Sequence, residues 1–218
     1  MIVKGKNSQF TEWKRKPRTT KCNKGNDQVI AIVGAGPGGL TCAETLRNEG
    51  YDGRILLIGK EKYLPYDRTK LSKSLSTTGE KAQLREKDWF GVNDIELILG
   101  NGAKELDAQN KTIVLDNGDK INYNKAFVST GGNPRRIPIE GLDKMKNLFF
   151  LRVPEDAHGI QAKAEGSNVV IIGSSFIGME VASCIAAKAK SIAVIGNQTL
   201  FFNLIVYTKH HRYGTSSF

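Results

Sequence analysis

The run Val29-Ile30-Ala31-Ile32-Val33 is continuously apolar and stops on Gly34-Ala35-Gly36-Pro37-Gly38-Gly39, after which Leu40 to Asn48 takes up the periodicity of an amphipathic helix. A buried strand that meets three glycines in the spacing G-x-G-x-x-G has few ways to continue. Gly34 permits the tight turn out of the strand, Gly36 lets the backbone approach a ligand, and Gly39 lets helix and strand pack closely. The unpaired N–H groups and the dipole at the start of that helix favour an anion, and a pyrophosphate fits. A second strand, Arg54 to Ile58, follows in the order that a βαβ unit demands. Glu61 lies roughly 20 residues beyond the glycines, where an acid that binds a ribose belongs. These residues predict a dinucleotide site.

The same unit begins again downstream. Asn168 to Ile172 reads as a buried strand and runs into Gly173-Ser174-Ser175-Phe176-Ile177-Gly178; a helix is expected over Met179 to Ala189 and a strand over Ser191 to Ile195. Ser175 stands where the second glycine is usual, so a hydroxymethyl shares the space in which backbone would approach a phosphate. Two such starts in one chain suggest one domain for a flavin dinucleotide and one for a nicotinamide dinucleotide. Between them, Lys60 to Lys87 is a long polar excursion and Ile95 to Leu99 a strand. A β-meander is expected over Ala103–Asp107, Lys111–Asp116 and Lys120–Tyr123. Lys125 to Thr130 reads as a further buried strand, broken by Gly131-Gly132-Asn133-Pro134, and Pro154-Glu155-Asp156 carries helix-start signals.

The expected fold is therefore α/β. It is a Rossmann-like, three-layer ββα sandwich for FAD and NAD(P) with a β-meander and an incomplete second βαβ unit. The divisions are a basic linker over 1–27, an FAD-binding domain over 28–160, the start of an NAD(P)-binding domain over 161–196, and a divergent tail over 197–218. The net charge of +10 on 218 residues raises the question of nucleic acid, and its distribution answers it. Residues 1–27 hold eight Lys or Arg against two acids, and the tail holds Lys209 and Arg212 with no acid. The excess sits in flanking segments rather than on a folded face, and no nucleic-acid-binding motif accompanies it, so no specific nucleic-acid partner is expected. Cys22, Cys42 and Cys184 are widely spaced and form no CxxC pair, which suits a reducing compartment. No stretch has the length and apolarity of a membrane span. A cytoplasmic location is expected, with mitochondrial as the alternative.

At Leu64-Pro65-Tyr66-Asp67-Arg68-Thr69-Lys70-Leu71-Ser72-Lys73 the chain resembles a particular family. With GAGPGG at 34–39, STGGNPR at 129–135, LRVPEDA at 151–157 and GSSFIGMEVAS at 173–183, it resembles the FAD-dependent pyridine nucleotide-disulphide oxidoreductases, and within them the apoptosis-inducing factor-like and ferredoxin-reductase-type proteins. The resemblance implies that Gly34, Gly36, Pro37, Gly38, Gly39, Glu61 and Arg68 bind FAD. It adds the backbone of Ala103 at the adenine, Thr130 and Gly131 near the pyrophosphate, and a contact from Arg152. Lys73 is implied to lie beside the flavin ring and to pair with Glu180, these two being the catalytic candidates. Gly173, Ser175, Phe176, Ile177, Gly178 and Glu180 are implied to form the nicotinamide dinucleotide site. Without the resemblance, Lys73 and Glu180 are two charges of a kind that normally lies in solvent.

The activity implied is flavin-dependent NAD(P)H oxidation, with hydride passing to FAD and electrons to an unknown acceptor such as an iron–sulfur protein or a quinone. The alternative is a non-catalytic dinucleotide-binding fragment or interaction module. The redox cysteine pair of the family's disulfide reductases is missing from the first unit, so electrons are expected to leave the flavin directly. The resemblance read from the sequence stops at Gly196. On that reading the chain is a truncated form, with an open sheet edge and exposed apolar surface. The apolar stretch from Leu200 to Val206 is a candidate to cover such an edge.

Overall fold

The computed structural model describes residues 20–196 and the backbone of two further strands, 204–208 and 211–215. The expectations for residues 1–19 and 197–203 lie outside the described residues. The first unit runs β1 (Val29–Val33), α1 (Pro37–Asn48), β2 (Arg54–Gly59), α2 (Thr69–Lys73), α3 (Gly79–Ala82), α4 (Lys87–Val92), β3 (Ile95–Leu99), β4 (Ala103–Asp107), β5 (Thr112–Leu115), β6 (Lys120–Asn122) and β7 (Lys125–Val128). The second runs α5 (Pro154–Ala164), β8 (Asn168–Ile172), α6 (Phe176–Ile185), β9 (Ser191–Ile195), β10 (Leu204–Thr208) and β11 (His211–Thr215).

Strands β3-β2-β1-β7 form a parallel sheet in that order. Side chains alternate between the faces of a strand, and β1 shows the consequence. Ile30 and Ile32 point to one face, where they join Leu40 and Ala43 of α1 and Phe90 of α4. Ala31 and Val33 point to the other, where they meet Ile113, Leu115 and Tyr123 of the meander β4-β5-β6. Helix, sheet and meander are the three layers of the sandwich. Each fully buried Leu, Ile or Phe contributes on the order of 1.5–3 kcal/mol, so these faces dominate the stability of the unit. A polar group also sits inside: the guanidinium of Arg47, 1% exposed, donates to the carbonyls of Asn93, Tyr51, Gly53 and Asp94 and ties the end of α1 to the entry of β3.

The second sheet has the order β11-β10-β9-β8; β8 and β9 are parallel, and β10 lies antiparallel on β9 through register pairs such as Leu204 with Ile195. The outer edge of β9 is thus covered by β10, which shares Leu204 to Val206 with the apolar stretch expected to cover an edge; residues 200–203 of that stretch lie outside the described residues. The terminal strands are β3 and β7 in the first sheet and β8 and β11 in the second; the buried strands expected over 125–130 and 168–172 are not buried, since all four residues of β7 are exposed and β8 alternates exposed with half-buried, each lying at the edge of its sheet. Both major helices begin earlier than their apolar periodicity: α1 at Pro37 rather than Leu40, and α6 at Phe176 rather than Met179. Proline at the first helical position loses no hydrogen bond, because the N–H groups there have no intrahelical partner. Helix α6 also stops at Ile185, short of Ala189, and α5 runs straight through residue 160.

The excursion over 60–87 is an arm that joins the two units. Its Tyr66, Leu71, Leu75 and Ala82 are buried in one cluster with Ala157 and Ala164 of α5, Val181 and Ile185 of α6, and Ile192 and Val194 of β9. The arm therefore seats the second unit on the first.

Candidate functional site

The two glycine turns share one construction. Gly34 has φ +115, and a Cβ there would fall 2.2 Å from the carbonyl oxygen of Ser129; Gly173 has φ +117. Gly39 faces Gly34 and Gly178 faces Gly173 so closely that a Cβ on either would stand 2.0 Å from the partner's carbonyl oxygen. The N–H of Gly34 donates to Ile58 at 2.8 Å, and that of Gly173 to Ile195 at 2.8 Å, so each turn is anchored to the end of the neighbouring strand. Gly36 differs: a Cβ there would meet nothing within 4 Å, which leaves open space in front of the α1 N-terminus. No side chain caps α1, and its first turn carries no acid, so its leading N–H groups are available to an anion. Pro37 fills the first helical position, and Gly38 is in ordinary contact range of Ser129.

Ser175, in place of the second glycine of the lower turn, has φ −80 and ψ −179, an extended conformation open to any residue. The substitution leaves the turn intact. Phe176 is 87% exposed, with Ile177 exposed beside it.

Around the first turn lies a chain of polar contacts. Thr130 and Gly131 follow β7, and the Arg152 guanidinium approaches Gly131 to within 2.7 Å of where a Cβ would be. Asp156 accepts from the N–H groups of Arg152 (2.8 Å) and Val153 (3.0 Å), which fixes Arg152 at the head of α5. Arg68 donates to the carbonyl of Arg152 at 2.8 Å and pairs with Glu61. Glu61, expected to bind a ribose, has both oxygens engaged, Oε1 by Arg68 and Oε2 by the hydroxyl of Tyr66 at 2.7 Å. The physical reason is the path of the arm, which doubles back after β2 and brings an opposite charge over Glu61 in a half-buried setting. Burial first, and then the bond to Glu61, raises the Tyr66 hydroxyl well above its ordinary value, so it remains a donor. A small cavity of about 270 Å³ opens beside Arg152, lined by Asn133, Pro134, Arg136, Phe150 and Asp156. Ala103 is half-buried at the start of β4, paired with Leu115.

The two units meet at Lys73 and Glu180. The Lys73 Nζ lies 3.1 Å from Glu180 Oε1 and also donates to the carbonyl of Thr69 at 3.1 Å. Ser72 donates its hydroxyl to Glu180 Oε2. One turn further along α6, the Cys184 thiol reaches the carbonyls of Lys73 at 3.0 Å and Ser72 at 3.3 Å. The Ser72 hydroxyl first, and Lys73 second, hold the Glu180 carboxyl below its ordinary value. An ion pair this exposed adds little stability, and its use is to fix a cation in space. Gly59, Ser72, Ser129 and Asp156 also shape the site; the last three lie inside the quoted motifs, but none was singled out as a site residue. Gly59 had a readable hint of its own, a glycine ending a buried strand, and a Cβ there would crowd Ala35 at 2.7 Å.

This double construction, two glycine turns joined by an arm, can be set against known proteins. The family model for pyridine nucleotide-disulphide oxidoreductases matches residues 28–207, past Gly196 where the resemblance read from the sequence ended. The chain belongs to that family. It is 42% identical over 166 residues to apoptosis-inducing factor 3 of Mus musculus, covering 76% of this chain and 27% of the relative. It is 34% identical over 169 residues to the ferredoxin–NAD(+) reductase subunit of the benzene 1,2-dioxygenase system of Pseudomonas putida, covering 76% of this chain and 41% of the relative. Among solved structures, the covalent putidaredoxin reductase–putidaredoxin complex matches with a TM-score of 0.70 at 30% identity, covering 78% of this chain and 42% of that one. The chain thus spans well under half the length of these relatives. Among the described residues, no helix is long and apolar enough to cross a membrane.

Proposed function

We propose that this chain holds FAD on its first glycine turn and NAD(P)H on its second, and serves hydride transfer from nicotinamide to flavin with electrons passing on to a one-electron acceptor. The Lys73–Glu180 pair carries this reading. One partner comes from the arm of the first unit and the other from the helix that opens at the second glycine turn, so a held cation stands where the two units meet. The backbone supports the fit: Gly36 leaves space that a side chain would fill, and the uncapped N–H groups of α1 face it. The second turn repeats the same tight geometry, with Ser175 extended.

FAD, when bound, supplies reversible acceptance of two electrons and their release one at a time. The residues of the chain do the rest. Gly34, Gly36, Pro37, Gly38 and Gly39 receive the pyrophosphate, while Thr130, Gly131 and Ala103 lend backbone groups. Arg68 and Arg152 bring positive charge, and Glu61 orients Arg68. Lys73 offers a cation where negative charge develops on reduction, and Glu180 holds it there. Gly173, Ser175, Phe176, Ile177 and Gly178 receive the nicotinamide dinucleotide. The division of labour we infer is FAD for the unit up to β7 and NAD(P)H for the unit built on β8, α6 and β9. Relatives named for reducing ferredoxin, and one bound to putidaredoxin, support an iron–sulfur protein as acceptor, with a quinone as the other candidate.

The test is the visible spectrum of the purified chain after loading with FAD and removing what does not bind, followed by anaerobic addition of NADH. A retained flavin band that bleaches supports both sites. The second reading, a non-catalytic dinucleotide-binding module, draws on the open edges of β7 and β8. It predicts no bleaching.

A further inference from the structure

Ser72 is 5% exposed at the end of α2, and its hydroxyl is directed at a carboxylate on a helix of the other unit. We propose that Ser72 is a positioning residue for Lys73: by donating to Glu180 Oε2 it confines the carboxylate to a one-oxygen contact with the ammonium and leaves one ammonium N–H for the dinucleotide. The inference rests on the function proposed above.

A serine hydroxyl has one proton, and two acceptors are in range, Glu180 Oε2 and the carbonyl of Thr69 at 3.3 Å. The charged oxygen is the stronger acceptor, so the proton goes to Glu180. The ammonium of Lys73 has three protons; Thr69 takes one at 3.1 Å and Glu180 Oε1 takes a second at 3.1 Å. The third has no acceptor among the described residues, and the Lys73 side chain is 57% exposed, so a ligand can reach it. Cys184 completes the arrangement. It stands four residues after Glu180 on the same face of α6, and its thiol meets the carbonyls of Ser72 and Lys73, fixing the end of α2 against α6. Without the Ser72 hydroxyl, Glu180 can rotate and take two protons from the ammonium, and the free N–H is lost.

Two measurements test this, one without cofactor. In a double-mutant cycle of Ser72→Ala and Glu180→Ala on the FAD-free chain, followed by urea unfolding, the positioning role predicts non-additive effects, with a coupling of about fivefold in the unfolding constant. A serine that merely packs gives additive effects, which overturns the proposal. On the FAD-loaded chain, Ser72→Ala should shift the flavin midpoint potential to more negative values; Ser72→Thr should restore it, and the exposed Ser74→Ala should leave it unchanged. An unchanged potential in Ser72→Ala overturns the proposal even if the cycle shows coupling. Should Ser72→Ala fail to fold, Ser72→Cys, of similar size and with a weaker donor, takes its place in both experiments. A wild-type chain that retains no FAD refutes the proposed function, and the cycle then decides the Ser72–Glu180 contact separately.

Discussion

Two glycines three residues apart do different work, and substitution separates them. A methyl at Gly39 has nowhere to go, since the Gly34 carbonyl oxygen would be 2.0 Å away. Gly39→Ala should destabilise the first unit by about 1–3 kcal/mol, as forced overpacking does, measured by urea unfolding without cofactor. Gly36→Ala meets nothing. It should leave stability within about 0.5 kcal/mol of wild type, the range of substitutions that break no contact, and should weaken FAD retention. Arg47 is the opposite case, a residue that matters for folding and not for the ligand. Its guanidinium serves four carbonyls from inside the unit, so Arg47→Ala should cost at least about 3 kcal/mol and lower the thermal midpoint with and without FAD. The glycines could be read from the sequence because each answers a backbone need that no other residue meets. The roles of Arg47 and Ser72 could not, and Asp156 showed only as a helix start, because their value lies in partners that only folding identifies.

At the level of elements, strands were the most legible. β1, β8 and β9 coincide with their apolar runs, although only β1 is buried along nearly its whole length; β8 leaves Val170 and Ile172 exposed, and β9 buries Ile192 and Val194. The helices α1 and α6 start earlier than their periodicity because a glycine turn can enter a helix before any apolar side chain is required. The arm was the least legible. Its polar composition conceals Tyr66, Leu71, Leu75 and Ala82, which are buried only because α5 and α6 come to meet them.

The contact between α2 and α6 carries a pH signature. Glu180 is held below its ordinary 4.5 by Ser72 and then by Lys73, the charged group that faces it. With a depressed folded-state value, the contribution is complete above the ordinary value and fades as the pH falls through the folded one. The thermal midpoint of wild type should therefore exceed that of Glu180→Gln near neutrality, and the gap should close as the pH falls below the ordinary carboxylate value. A gap that stays constant across that range would show that the carboxylate charge plays no part.

Across the whole molecule, two sheets each keep an open edge, and apolar side chains lie exposed near them: Phe127 and Val128 on β7, Val170 and Ile172 on β8. Unpaired edges with exposed apolar residues are templates for association. The purified chain should self-associate with rising concentration, and Val170→Lys, which places a charge on β8, should shift the sedimentation profile toward the monomer. FAD should raise the thermal midpoint in proportion to its occupancy, because a ligand that binds only the folded state adds to its stability. The sequence by itself determined the two βαβ starts, the meander and the glycine geometry, since backbone sterics and apolar periodicity act over short stretches of chain. The meeting of Ser72, Lys73, Glu180 and Cys184, the capture of Glu61 by Arg68, and the role of the arm were decided by the tertiary structure alone. They join residues up to 112 positions apart, and no local rule links side chains that only the packing of two units brings within hydrogen-bond reach.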